Sequence, residues 1–494
     1  MKRRIILQTS ALVFLGCIVR FLYGMIYQPW ISGPDHIVME IMVENGVWSY
    51  AHLIHYPHEG GTVITSVLGR FVAFFTSFNS LVIVAFILDL LSRFFQLIIV
   101  RKITNPTIFW TFGIWTIFAV PIMIPWATVN FGLHAISDIF PFLLLYMMYL
   151  KRDDKKHLIL MGVFLGLSVW FSYNNVILLL PFFILPFVKR SIWKNWIVAC
   201  ASLIGVVLLH FLVRMNFDYG FELTKLDLGS IRGADFQWFN LETYHRIYEV
   251  WGNTLAESAV SVQNSPYAFI ELKYLWLILF VLGLVGFLTR KKIVENARYF
   301  KYAVVMIVAF VLLYAISPFY YDNNVFGHAF NYRHLTYIMP LIAFITLWGM
   351  SFLPFKRVCI SVFLGLSIYL GIIIFTIEPS SDNANMEAGW VLSKKFGAHP
   401  QELQGLIMNS SYDQSELIKG VGWGVTSVFF GQVSSGDTVL VNERVAELKK
   451  WKNDFLLNSE MEFNEGVEFA FGAYISPVLD SALLPIIKER ILKK

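Results

Sequence analysis

Long apolar runs separated by short basic clusters constrain this chain more than any other feature. Runs of roughly 17–25 residues, enough to cross a hydrocarbon core of about 30 Å, recur through the first three quarters of the 494 residues. Inside such a core every backbone N–H and C=O must find its partner within its own segment, so these runs are expected as helices. The period-2 alternation of a transmembrane β-barrel is absent. Composition agrees, with 57% hydrophobic and 15% charged residues, against about 45–50% and about 25% in soluble domains. The net charge of +5 is spread over the clusters between runs. It therefore reads as topology information and argues against a nucleic-acid partner. Cys17, Cys200 and Cys359 all fall inside apolar runs, where a thiol behaves as a small hydrophobe.

Lys/Arg clusters mark the cytoplasmic side of a membrane protein. They stand at Lys2–Arg4, Arg101–Lys102, Lys151–Lys156, Lys189–Lys194, Arg290–Lys301 and Lys356–Arg357. Placing each cluster inside gives spans near 5–27, 80–100, 104–122, 133–150, 157–172, 173–188, 195–213, 272–289, 302–319, 335–353 and 358–377, about eleven by the length rule. The first of these follows Lys2-Arg3-Arg4 with no small-x-small cleavage site before Tyr27, so it is read as a span and not as a removed signal. Parity then closes only if Thr62–Phe78, which is also apolar, lies on the outer face without crossing. The fold expected is an all-α membrane protein with a transmembrane domain over 1–377 and a first outer loop at 28–79. Outer juxtamembrane helices and a small non-cytoplasmic soluble domain over 378–494 complete it. In that tail Ser415–Phe430 and Val439–Leu457 carry helical patterns.

The first outer loop holds the residues with chemistry. Pro34 suits the first turn of a helix, and Asp35 beside it complements the positive end of the dipole. At a 3.6-residue period Ile37, Val38, Ile41 and Met42 form an apolar face, while His36, Glu40 and Glu44 form a narrow polar stripe. Such a helix is expected to lie flat on the membrane surface. Asp35 falls away from the stripe, which disfavours a facing carboxylate pair of the glycosidase type. Asp35 is thus either a helix-start residue or a general base. His52, His55 and His58 would cluster on a helix and could then hold a metal, but Tyr56-Pro57 and Gly60-Gly61 read as a turn, so no metal site is assigned.

The order of these pieces resembles the GT-C class of membrane glycosyltransferases, such as the protein O-mannosyltransferases and aminoarabinose transferases. The resemblance covers about residues 1–377 in pattern: one span, a long outer loop with an acid near its start, then a Pro-containing turn at Tyr56-Pro57-His58-Glu59 and a juxtamembrane helix. Further matches are the acid opening a span at His134-Ala135-Ile136-Ser137-Asp138, the Gly162–Leu167 run, and Asn331-Tyr332-Arg333-His334 ahead of Pro340. Many relatives carry closely spaced acids in the first loop, whereas here Asp35 is followed by His36 and then Glu40. Which of the two carboxylates is catalytic stays open.

The resemblance implies a polyprenyl-phosphate-type sugar donor and a protein, lipid or glycan acceptor at the outer face. Asp35 is then the base, with Glu40 second. Arg333 would hold the lipid phosphate with His334 and Tyr332, with Arg20 as a second phosphate ligand, and Asp138, Glu59 and His58 would line the substrate. Each has a plainer reading. Arg333 could anchor at the headgroups, Asp138 could serve a helix start, and Arg20 could pair with an acid inside the bilayer. Asp89 and Arg93, four apart in one span, are read as an internal ion pair. No cofactor is required, and a divalent cation is compatible with a diphosphate donor. The lean layout points to a bacterial inner membrane with a cytoplasmic N-terminus and a non-cytoplasmic C-terminus. The competing classes are a lipid or glycan transporter or flippase, which should show duplicated halves, and a non-catalytic assembly protein.

Overall fold

The computed structural model describes residues 2–46, 60–76, 78–129, 136–150, 154–188, 192–215, 241–260, 270–290, 296–316, 335–377, 383–430, 438–455, 460–472 and 483–492. All regular structure among them is helical. Among the described residues four helices are long and apolar enough to cross a membrane: Arg3–Tyr27, Ser80–Ile103, Ala297–Ala315 and Lys356–Thr376. Several shorter apolar helices accompany them, so the chain is a membrane protein by the character of its helices.

The N-terminal part runs α1 (Lys2–Tyr27), α2 (Pro34–Glu44), α3 (Gly60–Ala73), α4 (Ser80–Ile103) and α5 (Pro106–Phe118). It continues with α6 (Ile139–Tyr149), α7 (Lys155–Phe171), α8 (Leu179–Val188) and α9 (Trp193–Met215). A further helix α10 (Leu241–Glu249) precedes α11 (Leu272–Leu288), α12 (Ala297–Ile316), α13 (Met339–Met350) and α14 (Lys356–Ile373). Every apolar stretch picked out in the sequence overlaps one of these helices. α10 was hidden in the sequence by its polar composition. The π-helix Val250–Leu255 that follows it, and the short helix after that, pack inward through Val250, Leu255 and Ala256, all fully buried.

Lengths set the shape of the interior. With 13 and 11 residues, α5 and α6 reach about 20 and 17 Å, well short of a hydrocarbon core of about 30 Å. Between them residues 119–129 are mostly non-helical yet buried throughout. Irregular backbone survives at membrane depth only when protein covers it. Here Ile124 shares an apolar cluster with Tyr23 of α1 and Ile374, and Val129 shares one with Trp30 and Val82. Aromatic side chains fill the space between helices: Phe112, Phe142 and Phe344 join α5, α6 and α13 with centroids 5.7–6.0 Å apart. Small residues allow the closest approach. A Cβ on Gly349 would sit 1.9 Å from the Gly283 carbonyl oxygen, so α11 and α13 touch backbone to backbone.

The C-terminal helices α15 (Ala384–Phe396), α16 (Pro400–Met408), α17 (Gln414–Phe430), α18 (Thr438–Phe455), α19 (Glu460–Ala470) and α20 (Leu483–Leu492) build a second apolar core. It is not built from the tail alone. Ile37, Ile41 and Met42 of α2, none of them exposed, and Leu81 of α4 belong to the same core. The expectation that the apolar face of α2 rests on the membrane is therefore corrected: α15 and α16 cover that face, and Glu40 of the polar stripe meets the first turn of α4. The stripe looked solvent-facing in the sequence because a helical pattern cannot say whether a polar edge meets water or buried backbone amides.

Candidate functional site

Two polar clusters flank α4, one within its apolar length and one at its first turn. The inner cluster contains four charges. Arg20 of α1 places Nε 2.9 Å from Asp89 Oδ2, and Arg93 Nη2 lies 3.0 Å from Asp89 Oδ1. Arg93 Nη2 also lies 2.6 Å from Asp138 Oδ2, at the start of α6. Ser92 and Gln96 complete the cluster by donating to Asp138 Oδ1 at 2.6 and 2.8 Å. Two guanidinium groups thus meet two carboxylates, and the charge closes.

Arg20 performs a second task. Its Nη1 donates to the Ile117 carbonyl at 3.0 Å and its Nη2 to the Thr116 carbonyl at 3.0 Å. These are among the last carbonyls of α5, which have no partner within their own helix. A cation at a helix C-terminus also meets the negative end of the dipole. The chain turns away directly afterwards through Ala119 at φ 52, a conformation few non-glycine residues adopt. Arg20 thus caps a helix that ends inside the buried bundle, and Asp89 neutralises the cap.

The outer cluster performs the mirror task. Glu40 of α2, 3% exposed, accepts from the Ser80 amide at 3.0 Å, the Ser80 hydroxyl at 3.2 Å and the Leu81 amide at 3.1 Å. The N-cap residue Asn79 accepts from the Val82 amide at 3.1 Å. The first turn of α4 is therefore capped by two side chains, one local and one from another helix. His36 Nε2 lies 3.2 Å from Asn79 Oδ1, which marks Nε2 as the protonated nitrogen. Asn79 Nδ2 donates to the Tyr412 hydroxyl at 3.0 Å, linking the cluster to the turn between α16 and α17. Burial pushes the Glu40 carboxyl up to about 7 despite the amide hydrogen bonds that favour its ionised form. Burial likewise pushes His36 down to about 3, so its ring is neutral.

The sequence-derived candidates divide accordingly. Asp35 lies in the first turn of α2, and its side chain is outside the described residues, as are Arg333, His334, Tyr332, His58 and Glu59. The two candidate histidines His52 and His55 are outside them as well. Glu40 is committed to the α4 cap through both carboxylate oxygens. Arg20, offered by the sequence as a phosphate ligand or the partner of an acid, meets the acid. Asp138 pairs with Arg93, and the Asp89–Arg93 pair stands as read. Among the described residues no group of His, Cys, Asp and Glu could hold a metal ion.

Asn79, Ser92, Gln96 and Tyr412 were not singled out in the sequence. Asn79 carried a signal, an Asn directly before an apolar run, which is how an N-cap looks. Tyr412 carried none, because its partner lies 333 residues away. No protein-family model matches the chain, and neither a curated protein nor a solved structure matches it.

Proposed function

We propose that the chain is a membrane glycosyltransferase of the GT-C class, moving a sugar from a polyprenyl-phosphate-type donor to an acceptor at the outer face. In this reading eleven helices cross a bacterial inner membrane, the N-terminus is cytoplasmic, and α2, α3 and the C-terminal unit are outside. The observation that carries the reading is the anchoring of α2. A helix bearing Asp35 in its first turn is fixed to the outer end of α4 by Glu40 and covered by the C-terminal helices. A base held on such a rigid element meets the positional demand of general base catalysis.

In the reaction an acceptor hydroxyl or amine attacks the anomeric carbon and gives its proton to the Asp35 carboxylate. The bond from that carbon to the donor phosphate oxygen breaks, and the phosphate leaves with the bonding pair. Arg333, assisted by His334 and Tyr332, stabilises the charge that grows on the leaving phosphate more than the charge already there. Glu40 serves as a positioning residue for α2, and Arg20 and Asp138 hold helix ends in register.

The test uses purified protein in lipid nanodiscs with a labelled polyprenyl-linked sugar. Asp35→Asn is expected to lower transfer about 10²–10⁴-fold while the helical signal and melting transition stay intact. Full transfer by the variant would overturn the assignment of the base. Label that crosses vesicles reconstituted with wild-type protein, with no transfer, would replace the transferase by a flippase.

A further inference from the structure

Glu40 is a buried carboxylate with an unusual set of neighbours. It has three hydrogen-bond donors from the first turn of α4 and no described ion pair. On its own helix it faces His36, which is neutral, and Glu44, a like charge that disfavours ionisation. From α3, Arg70 is spent on the Val43 and Glu44 carbonyls. From the C-terminal unit come three groups: Lys395, placed 3.5 Å from Met42 Sδ; Ser411, which donates to Glu44 at 2.9 Å; and Tyr412, which reaches Asn79. Among the described residues no cation thus neutralises Glu40, although it sits where α2, α4 and the C-terminal unit meet.

We propose that this junction is a proton-sensitive joint: it is tight when Glu40 carries a proton and loosens when Glu40 is ionised, partly freeing the outer end of α4 from α2 and the C-terminal unit. The reason is that Glu40 has no counter-ion among the described residues. An ionised carboxylate buried without a cation is penalised, and opening the joint to water removes the penalty. In the neutral form one oxygen still accepts from an amide while the new O–H donates to the Ser80 hydroxyl, so the contact survives protonation. The inner cluster offers a built-in contrast, since its carboxylates face guanidinium groups. The proposal concerns the joint itself and holds whether or not the chain transfers sugars.

The sign follows from linkage. The closed joint holds its proton up to about 7, against 4.5 for a carboxyl in water. Closure is therefore fully favoured below 4.5 and weakens as pH rises toward 7, about tenfold per pH unit and about 300-fold in all, and is then flat above 7. The test is amide hydrogen exchange on the full chain in nanodiscs from pH 4.5 to 8.5, corrected for the intrinsic pH dependence of exchange. Protection of the Ser80 and Leu81 amides is expected to fall by that factor and then level off. In Glu40→Gln, a neutral isostere, it should be independent of pH. Tyr412→Phe, which keeps the carboxyl, should lower protection by a constant factor at every pH and leave the slope unchanged. Flat protection in the wild-type chain, or the same slope in Glu40→Gln, would overturn the proposal.

Discussion

Arg20 and Glu40 do the same work at opposite ends of two neighbouring helices, with opposite charge accounting. Each reaches from one helix to satisfy the free backbone groups at the end of another, Arg20 the carbonyls of α5 and Glu40 the amides of α4. Arg20 brings a counter-ion with it in Asp89; Glu40 brings none among the described residues. The difference follows from the surroundings. Within the apolar length of the bundle an uncompensated charge costs several kcal/mol, so caps there come as neutral sets. At the outer junction a carboxyl can give up its charge by taking a proton, which leaves the cap intact and makes it respond to pH.

The largest way to break the comparison is to unbalance the inner set. Asp89→Ala leaves Arg20 without its carboxylate and Arg93 with Asp138 alone. It is expected to cost about 3–5 kcal/mol, read as a lowered thermal or denaturant midpoint of the protein in nanodiscs. A loss under about 1 kcal/mol would mean that the inner charges are solvated and not set in a dry interface. Glu40→Ala comes next, at about 1–3 kcal/mol, because buried amides on α4 lose their acceptor. Its cost should be larger at pH 5 than at pH 8, since the buried ionised form that it removes is itself penalised at the higher pH. An equal cost at both would erase the contrast between the clusters. Tyr412→Phe is the mildest, about 0.5–1.5 kcal/mol, and its effect should be confined to exchange near Asn79 and in the turn joining α16 to α17.

Much of the membrane part was legible in the sequence, because apolar run length maps directly onto helix position. The ion pair of Asp89 with Arg93 was legible as well, since a spacing of four on one helix fixes the geometry. Their partners were not. Nothing in the local pattern says that Arg20 and Asp138, 69 positions before Asp89 and 49 after it, converge on the same point. The polar stripe of α2 is legible as a stripe, but the cover over its apolar face is not, because that cover comes from residues more than 340 positions further along. Tertiary pairing, not propensity, decides both cases. The same holds for the tail: helices were legible at Ser415–Phe430 and Val439–Leu457, whereas the contribution of α2 to their core was not. There Gly420 approaches α15 so closely that a Cβ would sit 1.8 Å from the Met386 carbonyl oxygen.

The transferase reading depends on two groups sharing one outer pocket: the Asp35 carboxylate and the Arg333 guanidinium. The most direct measurement replaces both by spin-labelled cysteines in a chain whose Cys17, Cys200 and Cys359 are alanine, and records the distance between the labels in nanodiscs. A separation under about 20 Å, with both labels quenched by a reagent added only to the outer side, is the predicted result. Labels quenched from opposite sides and separated by about the 30 Å of the hydrocarbon core would contradict it.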